Sequence, residues 1–271
     1  MISRRRIRSL TLTAVAAIAT WLGVHWTSRM LGDESTFTGV VLLIATLSLY
    51  LLTIRKRIVS PRFGKVSMWL QLHTYAGVFA SVVFLMHVRW PIHGPFELCL
   101  ASCFIFVAVS GIVLGVMTRV TPAKLATLKQ DFALEHIPEL QYAVARDAHE
   151  VAMSSTKLGE GATLSEYYQR RLLPYFQSPR GTVYRVLPTG GKRRRLLREL
   201  DDLDRYLAAE GLKHRRRLSA MVQSKDDLDY HYALQTRLRT FYAAHFALTW
   251  TMLILIGAHV VLVVRFSGAL L

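Results

Sequence analysis

Five runs of apolar residues, at roughly 9–27, 38–54, 68–88, 97–118 and 240–264, constrain what this chain can fold into. Each is long enough to cross about 30 Å of hydrocarbon as a helix. Hydrocarbon offers backbone amides no partner, and a helix satisfies them all within one segment. The expected fold is therefore all-α: an integral membrane bundle of five transmembrane helices with a helical insert. Residues 1–118 would carry helices one to four, 119–239 the insert, and 240–271 the fifth helix. The first run follows a basic start, MISRRRIRSL, and is read as a retained span instead of a cleaved signal.

Charge orients the spans. The net charge of +16 would suit a nucleic-acid binder, but its distribution does not. Basic residues crowd 1–8, 55–65 and the polar stretch 119–239, whereas 28–37, 89–96 and 265–271 carry one arginine each. The two sets alternate across the five spans, as the positive-inside rule requires. The reading is a multi-pass protein of the inner (plasma) membrane, with the N-terminus and the insert cytoplasmic and the C-terminus periplasmic or extracellular. Its basic inner face suits anionic membrane lipid, and no nucleic-acid partner is expected.

Within this frame, two histidine pairs share one spacing. His73 and His87 are 14 residues apart in the third span, as are His245 and His259 in the fifth. Fourteen helical residues rise about 21 Å and return to within roughly 40° of the same face. Spans three and five are both odd-numbered and run in the same direction. His73 and His245 thus share the inner depth, and His87 and His259 the outer depth. Two such helices side by side would clamp two planar metal cofactors, each between one histidine from either helix. An ionisable side chain in hydrocarbon is costly and marks a functional candidate. A lone histidine in a span can simply hydrogen-bond a neighbouring helix; two pairs at identical spacing are harder to explain so.

Haem iron accepts axial imidazole nitrogens, and two of them leave no open position for oxygen or substrate. The metal ligands expected are His73 and His245 for an inner haem and His87 and His259 for an outer one. Small residues would let a macrocycle approach, with Gly77, Gly111, Gly115 and Gly257 as candidates. Close helix packing is the equal alternative, since Gly111-x-x-x-Gly115 is a small-residue contact pattern. Arg89 and Arg239, where spans meet water, are candidate propionate partners or simply interfacial anchors. There is no C-x-x-C-H for covalent haem, and Cys99 and Cys103 are too few for an iron–sulfur cluster.

This ligand pattern resembles the four-histidine core of the cytochrome b family, seen in quinol–cytochrome c reductases and related di-haem membrane subunits. The similarity covers ligand spacing and the parallel ligand helices. It departs from the family's respiratory form in placing a span and an insert of about 120 residues between them. The family's quinol-site motif Pro-Glu-Trp-Tyr is missing. The resemblance implies two haem b and a quinone as cofactors, and no quinone site by residue. The partners expected are other subunits of a membrane redox complex, a c-type cytochrome or an iron–sulfur protein. The function expected is electron transfer across the membrane between the quinone pool and a redox partner. The alternatives are a non-redox membrane anchor or assembly subunit, and a ferric reductase, for which no flavin or nucleotide motif is found.

The insert reads as helical. Thr121-Pro122 suits a helix start, Ile137–Met153 and Leu164–Phe176 are amphipathic, and 177–192 reads as loop. Arg193–Ala209 and Leu212–Gln235 suggest a helical hairpin turning at Gly211, its second arm running into span five. Among the other histidines, His25 is read as a hydrogen-bonding residue and His93 as interfacial. His136, His149, His214 and His231 share no ligand spacing.

Overall fold

The computed structural model describes residues 4–57, 65–92, 94–126, 132–156 and 161–266. Among these there is no strand, and five helices are long and apolar enough to cross a membrane. The chain is an all-α membrane protein. It divides into two compact units, Met1–Gly115 with His245–Leu271, and Val116–Ala244.

The first unit is built from α1 (Arg4–Arg29), α2 (Glu34–Arg57), α3 (Val66–His87), the body of α4 (Pro95–Leu125) and the end of α10 (Ala209–Phe266). A short turn makes α1 and α2 a hairpin. The amide of Gly32 donates to the Thr27 carbonyl at 2.9 Å and that of Leu31 to Ser28 at 3.2 Å. These two bonds close the end of α1 in a Schellman arrangement. Leu31 takes the left-handed position there, with φ at 54°, which glycine usually fills. Asp33 then starts α2 by accepting from the amides of Ser35 and Thr36 at 3.0 and 3.2 Å.

Large apolar side chains face outward, Leu12, Ile112 and Ile254 being about 70% exposed (71%, 68% and 71%), as lipid-facing residues are. Inside, Ala80, Val83, Phe84, Ala101, Cys103 and Met252 are buried, and Phe84 stacks on Phe104 at 4.2 Å. Hydroxyls in the spans bond back along their own helices, as Thr20 does to the Ala16 carbonyl. Between helices, Gln71 donates to the Ser9 hydroxyl at 2.8 Å, and the Tyr50 hydroxyl to the Thr249 carbonyl at 2.6 Å.

The second unit holds the C-terminal end of α4, then α5 (Ile137–Ser155), α6 (Gly161–Tyr167), α7 (Leu173–Gln177), α8 (Thr182–Val186), α9 (Gly191–Asp201) and the start of α10. A π-helical turn, Tyr168–Leu172, joins α6 to α7. Its core gathers Ala148, Leu164, Tyr168, Leu172, Leu200, Leu218 and Val222. Beside it lies a buried ion network. Asp229 accepts from Arg180 Nε at 2.9 Å, Lys225 Nζ at 2.8 and 3.0 Å and Gln141 Nε2 at 2.7 Å, and Arg180 also pairs with Asp226. Burial pushes the Asp226 carboxyl up, against the pull of Arg180 and Arg193.

Three local expectations are corrected. Pro122 does not start a helix; it lies inside the last turn of α4, which continues to Leu125. The stretch 177–192 is not all loop, since it contains α8 and the first two residues of α9. The insert hairpin turns at Leu207 and Ala208 after a 3₁₀ turn, Asp202–Tyr206, and Gly211 lies within α10. Arg215 closes this turn by bonding Asp201 at 2.9 Å and pairing with Asp204. The second arm does run on into the fifth span, making α10 one helix of 58 residues.

Candidate functional site

Equal spacing puts two imidazoles on one face of α3 and two on one face of α10. The rings of His87 and His259 lie 6.4 Å apart between centroids, with planes at 87°. His73 and His245 lie within electrostatic reach of each other. Among the described residues the backbones of α3 and α10 make no sustained close approach. Their histidines extend into the space between, in two pairs.

Each of three imidazoles is anchored by a neighbouring helix. His87 Nδ1 lies 3.0 Å from the Thr38 hydroxyl of α2, His245 Nδ1 2.9 Å from the Ser110 hydroxyl of α4, and His73 Nδ1 3.1 Å from the Leu49 carbonyl of α2. The Leu49 carbonyl can only accept, so the His73 ring donates from Nδ1 and its Nε2 keeps a lone pair. The Thr38 and Ser110 hydroxyls also lie 2.8 and 3.0 Å from the Glu34 and Val107 carbonyls; a hydroxyl proton given to its carbonyl leaves the oxygen to accept from Nδ1 of His87 or His245 in the same way. That is how a metal-bound histidine is held: the distal N–H bonded to a protein acceptor, the other nitrogen free to ligate. Among the described residues His259 has no hydrogen bond; its ring lies against Phe96, 6.4 Å between centroids and 18° between planes.

Two glycines let the imidazoles sit close. A Cβ on Gly39 would meet His87 Cε1 at 3.1 Å, and one on Gly111 would meet His245 Cε1 at 3.3 Å. Each glycine directly follows the hydroxyl residue that bonds the same ring, Thr38-Gly39 and Ser110-Gly111. Gly111 therefore serves a histidine, not a bare helix crossing. At Gly77, Gly115 and Gly257 a Cβ would meet nothing within 4 Å, so these glycines border open space. Thr38, Ser110, Leu49 and Gly39 are absent from the expectations drawn from sequence. A signal existed: within the five apolar runs, a hydroxyl residue followed by glycine occurs at only these two places.

These residues fit a haem. An iron bonded to two imidazole nitrogens at about 2 Å each sets the ring centroids roughly 6 Å apart, given the ring's own half-width. The 6.4 Å between His87 and His259 matches that. Among the described residues no group of three or more His, Cys, Asp or Glu gathers to hold a metal ion. A macrocycle supplies its own four nitrogens and asks the protein only for two.

The remaining candidates stand elsewhere. Arg89 pairs loosely with Asp33 at 3.9 Å, and Arg239, in the second unit, with Glu135 at 3.8 Å; all four side chains are exposed. His25 stacks on Trp21 and lies 3.4 Å from Arg29. His93 lies outside the described residues. Cys103 is buried, its thiol 3.8 Å from the Leu248 carbonyl, while Cys99 is exposed. His214 bonds Ser154 and the Glu210 carbonyl, and His149 lies beside Tyr168. His136 faces Glu139, and His231 lies edge-on to Phe132.

No protein-family model matches the chain, and neither a curated protein nor a solved structure matches it.

Proposed function

We propose that the chain is a di-haem b-type membrane cytochrome that carries electrons across the bilayer, between the quinone pool and a redox partner protein. The observation that carries this reading is the pairing of four imidazoles, three of them with Nδ1 beside a protein hydroxyl or carbonyl, an arrangement that leaves Nε2 for a metal. His73 and His245 would hold one haem, and His87 and His259 the other. A haem held by these histidines would supply a one-electron carrier closed to oxygen and substrate. The chain's own residues do the rest. Thr38, Ser110 and the Leu49 carbonyl hold the protons and aim the rings. Gly39 and Gly111 let the rings seat, and Gly77, Gly115 and Gly257 leave room beside them. Arg89, exposed near the outer end of the first unit, is a candidate propionate partner in this reading.

In this reading the basic segments 1–8 and 55–65 and the insert face the cytoplasm of a cell whose plasma membrane the chain spans. His73 and His245 form the inner site. The chain shows no flavin, nucleotide or iron–sulfur motif, so donor and acceptor come from other subunits, a c-type cytochrome or an iron–sulfur protein, with a quinone as the small-molecule partner.

A reduced-minus-oxidised spectrum of the purified chain, with its haem-to-protein ratio, tests the proposal. Two non-covalent haems per chain are expected, falling to one in either His87→Ala or His73→Ala. A chain purified without haem that binds none when haem is added would leave the histidines as hydrogen-bonding links between helices, as in an anchor or assembly subunit.

A further inference from the structure

The two histidine pairs are not held alike, and we infer that this difference sets the direction of electron flow. Of the two sites, the one at His87 and His259 has the higher reduction potential, so electrons run from the His73 and His245 site towards it. This rests on the haem reading above.

An imidazole that donates its Nδ1 proton gains electron density in the ring, and its Nε2 becomes a stronger donor. A stronger axial donor stabilises the oxidised iron over the reduced one and lowers the potential. A ring that gives Nε2 to iron keeps its proton on Nδ1, and at the first site both rings then donate: His73 to the Leu49 carbonyl at 3.1 Å and His245 to the Ser110 hydroxyl at 2.9 Å. At the second site only His87 donates, to the Thr38 hydroxyl at 3.0 Å. His259 instead rests on the Phe96 ring, with no hydrogen bond among the described residues. One electron passes per crossing: the site with two donating rings loses it and the site with one gains it. The electron donor therefore meets the chain at the His73 and His245 end, and a partner of higher potential takes electrons at the other.

Thr38, Ser110 and Leu49 act through the histidines and are positioning residues. The test is potentiometric titration of the purified holoprotein, followed by absorbance. Two waves are expected, and the one lost in His87→Ala or His259→Ala should be the higher. Ser110→Ala should raise the lower wave and leave the higher in place, while Ser110→Thr, which keeps the hydroxyl, should restore it. If the alanine variants of histidine lose both haems, the wave that moves in Ser110→Ala identifies the His245 site. A reversed order, or a Ser110→Ala protein with unmoved waves, would overturn the inference. A wild-type chain that takes up no haem would instead overturn the haem reading itself.

Discussion

Alanine at three glycines separates a cofactor cradle from a lipid-facing surface. At Gly77, Gly115 and Gly257 the new methyl meets no protein atom within 4 Å. In the cofactor-free chain the substitution then carries only its helix-propensity gain, about 1 kcal/mol in favour of alanine. If a macrocycle occupies the open space, the methyl intrudes on it. Overpacking by one carbon costs about 1–3 kcal/mol. At 1.4 kcal/mol per factor of ten, haem affinity should fall roughly 5- to 150-fold. Gly111→Ala and Gly39→Ala serve as the contrast. Their methyls would stand 3.3 and 3.1 Å from His245 and His87 Cε1 and push the ring itself back by a few tenths of an ångström. They should disturb the imidazoles with or without haem. The assay is haem titration into the cofactor-free chain in detergent, followed by the Soret band, alongside its thermal unfolding. If alanine at 77, 115 and 257 raises the unfolding temperature yet leaves affinity within about twofold of wild type, the glycines border lipid and the cradle assignment is wrong.

Two further outcomes are expected. Asp229→Ala strips the nearly sealed Lys225, 2% exposed, of its carboxylate and takes one of the two from Arg180, which should cost about 3–5 kcal/mol. At roughly 3 °C per kcal/mol that lowers the unfolding temperature of the insert by about 10–15 °C. Asp227→Ala, at the solvent-accessible pair with Arg193, should cost under about 1 kcal/mol, and equal losses would refute the network's importance. For sidedness, Ser178→Cys in a Cys99→Ser background should react with an impermeant thiol reagent only after the cells are opened. Labelling of intact cells would invert the proposed topology and exchange the inner and outer sites.

The spans were legible because apolar runs leave the backbone one choice. The histidine pairs were legible because 14 residues map onto one helix face. What surrounds the histidines was not. Thr38 and Ser110 look like any hydroxyl in a span, each bonding back to its own helix, and only tertiary structure shows a second bond to a ring 49 or 135 residues away. The Leu49 carbonyl carries no side-chain signal at all. Gly211 misled because glycine is read as a breaker, whereas the turn is fixed by Arg215 reaching back to Asp201 and Asp204. Arg180, Asp226 and Asp229 look like surface charges in a basic segment until the fold closes over them.

The buried middle of the first unit has a consequence for the membrane voltage. Ala80 and Met252 sit midway between the histidines of α3 and α10, each 1% exposed, and neither they nor the stacked Phe84 and Phe104 can relay a proton. If the chain carries electrons as proposed, an electron crossing this apolar layer moves charge that these side chains do not compensate with a proton. The sites are about 21 Å apart along the helix axis, two thirds of a hydrocarbon core of about 30 Å. Moving one charge through the whole core costs or releases about 2.3 kcal/mol per 100 mV, so this passage carries about 1.5 kcal/mol. If, as proposed, electrons leave the cytoplasmic side of a cell that is negative inside, the field would favour the crossing and each transfer would partly discharge the membrane.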